Sequence, residues 1–372
     1  MNSLPDRGFV LIAALSGRAL AAAARRAGYK PLVADLFGDL DTQALAAASV
    51  RVPGRLSRGF RRDGLLSALD ALAASTAPAG LAYGAGFEDR PTLLKALAER
   101  YALLGNSAAT VRKVKRPDAL AALCRRHGVP HPLTRHGDAG EGAWFEKRAG
   151  GSGGGHVRPA TRAPTGARYL QQRLPGRAVS AMVLANGTQS MLLGFSEQWT
   201  NPAPGQPFRY GGAVRPAAVS PPLAAGMADA IGRIVPEAGL AGLISADFLL
   251  DDDGFHLLEI NPRPGATLDV FRDSADMLFR FHVEACRGTL PGQTPSFGRP
   301  NAAAVVYARR RIVLPPDFEW PEWAADQQPP CVPVPAGAPL CTVLAGAETS
   351  RLARHSAEAS AALVLDYVES IV

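Results

Sequence analysis

The sequence predicts a mixed α/β and α+β protein, with a parallel sheet at the N-terminus and antiparallel strands after it. Three observations support this prediction. Before Asn106, strand and helix signals alternate, which is typical of βαβ units and a parallel sheet. After Asn106, short strand signals follow one another and include a hairpin between residues 243 and 260. The length of 372 residues is enough for two or three domains.

The N-terminal elements begin with the apolar run 9–15, which predicts a strand buried on both faces. The second strand, 29–35, ends in an acidic loop, at the edge where open parallel sheets bind ligands. The turn after the first strand lacks GxGxxG, so a dinucleotide-binding site is not supported. The remaining predicted elements of this region are helices at 19–27, 65–74 and 90–100 and a strand at 80–84.

The later elements are read from apolar patterns and turn residues. The hairpin joins strands 243–250 and 255–260 through a turn at residues 251–254. The other predicted strands are 143–147, 168–174, 179–184, 190–195 and 302–308, and the predicted helices are 117–127, 222–238 and one from Ala357.

Composition and charge exclude several classes of protein. Forty Lys and Arg against thirty-three Asp and Glu give a net charge of +7, and 47% of residues are hydrophobic. No apolar run reaches the roughly 18 residues of a membrane span. The four cysteines are scattered, so neither a disulfide framework nor a zinc site is indicated. With no signal-peptide pattern and no nucleic-acid-binding motif, we expect a cytoplasmic protein that acts on small acidic molecules, not on nucleic acid or membranes.

The strongest functional signal is a group of oxygen-bearing side chains on the predicted hairpin. Asp247 and Glu259 fall opposite each other, and Asn261 points to the same face as Glu259 because strand side chains alternate. Carboxylate and amide oxygens suit Mg²⁺ and leave room for phosphate. Arg263 adds a fork of donors for a phosphate or a developing anion. The alternative is a surface hairpin with solvated acids, but the run E-x-N-P-R-x-G favours a functional site.

The second signal is Lys147, at the end of a strand and before the glycine loop 150–155. Glycines let backbone N–H groups approach phosphate oxygens, and the lysine adds a charge. The loop is not a Walker A motif, because the lysine precedes the glycines. Taken alone, a glycine-rich segment is equally well explained as a flexible linker.

Together the two signals resemble the ATP-grasp superfamily over residues 106–272. The run from Lys147 to Gly155 is similar to that family's phosphate-covering loop, K-P-x-x-G-x-G-G-x-G. Residues 170–176 are similar to the interlobe segment whose backbone meets adenine. The resemblance implies an N-terminal parallel-sheet domain followed by a two-lobed ATP-grasp fold, with ATP and Mg²⁺ (or Mn²⁺) as cofactors.

The resemblance also implies roles for individual residues. Asp247, Glu259 and Asn261 match the metal ligands, and Arg263 and Lys147 the catalytic residues. The implied nucleotide contacts are Lys113, Lys115, Lys147, Gly151, Ser152, Gly153, Gly154, Gln171, Gln172 and Leu174.

Three positions depart from the family pattern. The usual Asp-Lys pair falls on Arg116-Pro117, so Lys113 or Lys115 takes the α-phosphate, and the sequence does not choose between them. Ala178 stands where a glutamate is common, and Arg148 where a proline is usual.

The implied domains are 1–105, an N-terminal substrate-side domain; 106–172, the small lobe, with the glycine-loop region extending to about 185; 173–300, the large lobe with the metal site; and 301–372, a C-terminal segment packing on the core.

The implied reaction is ATP-dependent amide formation between a carboxylate and an amine through an acyl phosphate. Residues 16–20, 35–42, 197–199 and 208–212 resemble a branch of the superfamily found in methanogens and methylotrophic bacteria. That branch is linked to methanofuran and tetrahydromethanopterin and includes a tyramine–glutamate ligase. We therefore expect glutamate as the acid and tyramine or tyrosine as the amine, and a homodimer is possible. The alternatives are a bicarbonate-activating carboxylase and a non-catalytic ATP-binding module.

Overall fold

The computed structural model describes residues 6–56, 58–138, 141–252 and 254–371. Its N-terminal part is a five-stranded parallel sheet with helices on its faces, as the alternating pattern predicted. The elements are β1 (Phe9–Ala14), α1 (Arg18–Arg26), β2 (Lys30–Asp35), α2 (Leu40–Leu45), β3 (Ala48–Arg51), β4 (Gly54–Arg55), β5 (Gly59–Phe60), α3 (Arg62–Ala73), β6 (Leu81–Tyr83), α4 (Pro91–Ala98) and β7 (Leu103–Leu104).

The parallel sheet has the strand order β3-β2-β1-β6-β7, and β4 and β5 form a separate small hairpin. The β3 strand and this hairpin were not predicted, because their short polar sequences carry little strand signal. At the carboxyl edge of the sheet, the Asp35 carboxylate accepts hydrogen bonds from the N–H groups of Gly17 and Gly38, at 3.0 and 2.8 Å. These bonds hold together the loops that follow β1 and β2.

A four-stranded antiparallel sheet follows, with the order β10-β9-β11-β8. Its elements are α5 (Ala108–Lys115), α6 (Pro117–Arg126), β8 (Thr134–Arg135), β9 (Trp144–Arg148), β10 (Arg158–Pro159) and β11 (Arg168–Gln172). Ser107 caps α5, accepting the Thr110 N–H at 3.2 Å. Arg116 is extended and Pro117 begins α6, because a residue before proline avoids the helical conformation.

The largest sheet has eight antiparallel strands in the order β16-β15-β12-β13-β14-β17-β21-β19. The elements from here on are β12 (Arg177–Asn186), β13 (Ser190–Thr200), β14 (Tyr210–Arg215), α7 (Pro221–Ala238), β15 (Ala241–Asp251), β16 (Gly254–Asn261), a 3₁₀ helix (Ala266–Val270), α8 (Leu278–Cys286), β17 (Asn301–Tyr307), β18 (Ile312–Val313), β19 (Ala324–Ala325), β20 (Pro333–Val334), β21 (Pro339–Gly346) and α9 (Ser350–Ser370).

The predicted β15–β16 hairpin is present, and Asp253 of its turn lies outside the described residues. The expected boundary between residues 300 and 301 falls inside one continuous sheet, since β17, β21 and β19 extend it beyond β14. Helix α9 starts at Ser350, seven residues before the predicted Ala357, because Thr349 caps it by accepting the Leu352 N–H at 3.2 Å.

The core between α7 and the large sheet decides which hairpin side chains are free for chemistry. Ala246, Phe248 and Ile260 are fully buried in that core. Because side chains alternate along a strand, Asp247 and Glu259 point to the opposite face. Among the helices in the described ranges, none is long and apolar enough to cross a membrane.

Candidate active site

The hairpin brings the three predicted metal ligands together. Asp247 and Glu259 are direct partners in the β15–β16 register. The Asn261 side-chain N–H₂ donates to Asp247 Oδ2 at 3.1 Å and to Glu259 Oε1 at 3.4 Å. Ser180, on the neighbouring β12, donates its hydroxyl to Asp247 Oδ1 at 2.6 Å. Two carboxylates and an amide therefore share one face of the sheet.

This donor set differs from the usual cluster of acids and histidines. In the part of the chain that the structure describes, no three His, Cys, Asp or Glu side chains form a group that could hold a metal. The candidate ligands at the hairpin are two carboxylates completed by an amide, Asn261. Such an all-oxygen set suits a hard divalent cation that also takes oxygens from phosphate and water.

Of the two candidate lysines of α5, the structure places only Lys115 in this cluster. Its ammonium donates to Asn261 Oδ1 at 2.9 Å and lies 3.6 Å from Glu259 Oε2, and its side chain is only 5% exposed. Lys113 instead donates to the Glu237 carbonyl at 2.8 Å, at an exposed position. Residues two apart on a helix point about 200° away from each other, so one helix cannot present both lysines to the cleft. The expected nucleotide contact by Lys113 therefore has no support in the geometry.

Lys147 approaches the cluster from the antiparallel sheet of β8–β11. Its buried ammonium donates to Gln171 Oε1 at 3.1 Å. Gln171 in turn donates to the Leu258 carbonyl on β16 at 3.2 Å. Lys147 and Lys115 thus come from two different elements and both face the Glu259 carboxylate, whose pKa they affect.

The two carboxylates have opposite pKa shifts. Burial, together with the Glu259 charge, raises the pKa of Asp247 well above its usual range. Burial also opposes ionisation of Glu259, but Lys115 and Lys147 outweigh it and lower the Glu259 pKa. Two neighbouring acids therefore resist being ionised together. A divalent cation removes that conflict, so the residues present fit a bound Mg²⁺ or Mn²⁺ ion.

Arg263 lies at the same end of the cleft and is held by a residue that the sequence did not single out. Its Nε donates to Glu88 Oε1 at 2.6 Å, and both side chains are buried. The other Glu88 oxygen accepts the N–H groups of Gly86 and Phe87, at 2.8 and 3.0 Å. Glu88 comes from the N-terminal domain and carried no motif, so sequence reasoning missed it.

The glycine loop after β9 is folded against the segment that precedes β14. A Cβ at Gly154 would lie 1.9 Å from the Phe208 carbonyl oxygen, and one at Gly151 would lie 1.5 Å from the His156 ring. Tyr210 donates its N–H to the Gly153 carbonyl at 3.0 Å. Close approach to the Phe208 backbone therefore requires glycine at 154, whereas a methyl group at 151 would displace the His156 ring.

Two cavities meet this region. One of about 20 Å³ lies between the lobes and is lined by Lys115, Gln171, Glu259 and Gly151, among others. The other is about 760 Å³ and is lined at one end by Arg263, with Ser152 and Gly153 of the glycine loop. The predicted contacts Gln172 and Leu174 contribute to neither described lining. The Gln172 N–H instead pairs with the Leu133 carbonyl, beside β8, at 2.9 Å.

Two histidines with no recognisable spacing also reach these cavities. His131 lines the smaller cavity and His156 the larger one. His131 Nε2 and His156 Nδ1 are buried, and neither has a hydrogen-bond partner among the described residues. Burial lowers the pKa of both rings, that of His156 to about 4. Each therefore presents a neutral imidazole nitrogen. In sequence, the position of His156 after the glycine loop indicates a phosphate contact and a solvated loop residue equally well, whereas His131 has no such signal.

In sequence, residues 119–267 match the ATP-grasp domain family. No curated protein matches the chain in sequence.

Solved structures resemble nearly the whole chain. The biotin carboxylase of Campylobacter jejuni, in complex with β,γ-ATP, is 14% identical, with a TM-score of 0.70 over 93% of this chain and 89% of that one. The biotin carboxylase domain of 2-oxoglutarate carboxylase from Hydrogenobacter thermophilus, with MgADP and bicarbonate, is 11% identical, with a TM-score of 0.68 over 93% and 89%. The N5-carboxyaminoimidazole synthetase of Staphylococcus aureus, complexed with ADP, is 15% identical, with a TM-score of 0.65 over 97% and 99%.

These matches confirm the predicted fold class and the resemblance at the level of the domain. At such low identity the structural likeness shows the fold alone. Residues 119–267 match the ATP-grasp domain family, and over nearly its whole length the chain has the fold of these solved structures.

Proposed function

We propose that this protein is an ATP-dependent carboxylate–amine ligase that forms an amide bond through an acyl phosphate. The observation that carries the proposal is the group Asp247, Glu259 and Asn261, faced by Lys115 and Lys147 from two other elements. Phosphoryl transfer needs positioned cations around the phosphates and no protein nucleophile. The cluster provides both a metal-binding face and two fixed ammonium groups.

Asp247, Glu259 and Asn261 would hold the divalent cation, which when bound neutralises charge on the nucleotide phosphates. Lys115 and Lys147 bind phosphate oxygens directly. The glycine loop contributes backbone N–H groups of Ser152, Gly153 and Gly154 and excludes water by closing against residues 206–210.

The proposed chemistry has two balanced steps. A carboxylate oxygen of the acid bonds to the γ-phosphorus of ATP, the bond from phosphorus to the bridging oxygen breaks, and ADP leaves. The amine nitrogen then bonds to the carbonyl carbon of the acyl phosphate, phosphate leaves with the C–O electron pair, and the amine proton is released. Arg263 stabilises the anionic oxygen of the tetrahedral intermediate, and Glu88 orients its guanidinium.

For the substrates, we propose glutamate as the acid and tyramine or tyrosine as the amine, in the synthesis of a methanofuran-type one-carbon cofactor. This finer proposal rests on the resemblance of several segments to the branch described above. The net charge of +7 is compatible with an acidic substrate or a glutamylated acceptor.

A carboxylase that activates bicarbonate is the second candidate. It is supported by the structural likeness to two biotin carboxylases, one of them solved with bicarbonate. A third reading, a non-catalytic ATP-binding module, accounts for the departures at Arg116-Pro117 and Ala178 but not for the two carboxylates grouped with Asn261.

The deciding experiment measures ADP release from Mg-ATP with glutamate, with bicarbonate, and with glutamate plus tyramine or tyrosine. ADP formation that requires both an acid and an amine supports the ligase. Release on bicarbonate alone identifies a carboxylase. Tight ATP binding by calorimetry without turnover on any substrate contradicts both enzymes and favours the binding module.

The nucleotide site is tested separately with Lys147→Ala, which we expect to weaken ATP binding about tenfold, the effect of losing one charge-assisted hydrogen bond of about 1.5 kcal/mol. Lys95→Ala, an exposed lysine in α4, is the matched control. An unchanged ATP Kd in Lys147→Ala would remove the role assigned to Lys147.

A further inference from the structure

The 760 Å³ cavity is lined by charged groups that the proposed mechanism does not use. Besides Arg263, its lining includes three carboxylates, Asp39, Asp269 and Asp326, which we call the acidic wall. They come from the loop after β2, from the 3₁₀ helix and from the segment after β19. Only the fold brings these distant parts of the chain together.

Arg18 is the cation that belongs to this wall, and it is already engaged. Its Nη1 and Nη2 donate to both Asp269 oxygens, at 2.5 and 2.6 Å, and its Nε and Nη2 donate to Asp326, at 3.2 and 3.0 Å. The side chain is 6% exposed. Asp41 adds a further carboxylate 3.7 Å from Arg18 Nε. A guanidinium held in this way is not free for an anionic ligand, and three carboxylates lie within 4 Å of one positive charge.

Asp39 supplies an independent observation that points to a ligand. It is fully buried, and its Oδ1 accepts a hydrogen bond from Gln328 Nε2 at 2.8 Å. Its Oδ2 is buried and has no hydrogen-bond partner among the described residues, although Asp39 lines the cavity. Buried carboxylate oxygens are costly to leave unpaired. Burial and the nearby acids raise the Asp39 pKa to about 9, as expected where a positive partner is missing.

The surface beside the wall is apolar. Leu15, Phe37 and Leu56 line the same cavity, and Phe37 is two residues from Asp39. Leu56 is 48% exposed, so its side chain is available to contact a molecule bound in the cavity. The cavity volume lies within the range of small-molecule sites, about 300–1,000 Å³. The lining therefore combines a buried negative end with an apolar side.

We propose that the acidic wall binds the ammonium group of a primary amine whose hydrocarbon body packs against Leu15, Phe37 and Leu56. The inference rests on the proposed function, because it identifies this amine as the acceptor of the acyl group. The ammonium pairs with the free Oδ2 of Asp39 and with the excess negative charge around Arg18. The same cavity also presents Arg263, which suits an anionic group.

The test is calorimetric titration of the full chain with three probes that share a phenyl body, with and without MgADP. Phenethylamine carries the ammonium, 2-phenylethanol is its neutral analogue, and 3-phenylpropionate is anionic. We expect phenethylamine to bind at least tenfold more tightly than either of the others. Equal or tighter binding of the alcohol or the acid, or no binding of phenethylamine, would overturn the proposal without use of any variant.

The variant Asp39→Asn should weaken phenethylamine binding about tenfold while the MgADP Kd stays unchanged. Asp317→Asn, at an exposed loop position, is the matched control and should change neither constant. Unchanged phenethylamine binding in Asp39→Asn would also overturn the proposal. The proposed ligase function is tested independently, by MgADP binding and by whether ADP release requires an amine. Its failure can therefore be distinguished from failure of the amine-binding proposal.

Discussion

The buried pair of Glu88 and Arg263 gives the sharpest test of how the N-terminal domain supports the site. In Glu88→Gln, the single side-chain oxygen can accept either from Arg263 or from the two backbone N–H groups, but not from both. The side-chain N–H₂ group of the introduced glutamine then faces another hydrogen-bond donor, and the positive charge of Arg263 loses its carboxylate partner. Removing one member of a buried pair costs about 3–5 kcal/mol. We expect a loss near the lower figure, about 3 kcal/mol of unfolding free energy, because glutamine keeps the shape.

The effect on catalysis follows from the same hydrogen bond. A hydrogen bond to a charged group contributes about 1.5–3 kcal/mol, so kcat/KM for ADP release should fall about tenfold to a hundredfold if Arg263 acts on the developing anion. Urea unfolding followed by circular dichroism measures the stability, and the coupled ADP assay measures the rate. Glu99→Gln, an exposed glutamate after α4, is the control. A stability loss under about 1 kcal/mol together with unchanged ADP release would refute the assigned role.

The pH dependence of the unfolding free energy tests whether the ionised Glu88 carboxylate stabilises the folded protein. Burial favours protonation of Glu88, but Arg263 and Lys115 outweigh it and hold the Glu88 pKa below its usual value. A lowered folded-state pKa means that the stabilisation is complete above the unfolded-state pKa of about 4.3 and is lost as pH falls toward the folded value. The stability difference between wild type and Glu88→Gln should therefore narrow below about pH 4. A difference that stays constant down to pH 3 would contradict the pairing.

Three further substitutions test the rest of the site. Glu259→Gln should reduce ADP release at least about a hundredfold with unchanged circular dichroism, because a metal-facing carboxylate is lost; undiminished activity would remove the metal assignment. Lys115→Ala should raise the nucleotide Kd about tenfold whereas Lys113→Ala should not, measured by calorimetry, and equal effects would contradict the choice between them. Gly151→Ala places a Cβ 1.5 Å from the His156 imidazole and should lower the rate of ADP release. Gly292→Ala, at a position with open space, should leave that rate unchanged. Similar rates in both variants would show that close approach at Gly151 is unimportant.

Local pattern was sufficient for much of the fold. The alternation of β1, α1 and β2 predicted the parallel sheet, because an apolar run buried on both faces is a property of consecutive residues. The grouping of Asp247 with Glu259 followed from hairpin geometry, in which register and alternation are decided within about fifteen residues. Strands such as β3 and β19 were not predicted, because they lack an apolar pattern long enough to indicate a strand.

The placement of the predicted site residues depends on contacts between distant parts of the chain. Both lysines of α5 have the right chemistry, and only the packing of that helix against β16 shows that Lys115 faces the cluster and Lys113 faces solvent. Gln172 and Leu174 follow the family pattern in sequence, yet neither lines a described cavity.

The sequence by itself determined the class of fold, the grouping of Asp247 with Glu259 on one hairpin and the glycine loop, since each depends on residues close together in the chain. The tertiary structure alone decided that Glu88 holds Arg263, 175 residues away, and that Asp41, Asp269 and Asp326 surround Arg18. Such arrangements have no periodicity and no fixed spacing. Buried charged groups are stabilised mainly by partners of opposite charge, and which partner each one contacts is settled only when the separate elements pack.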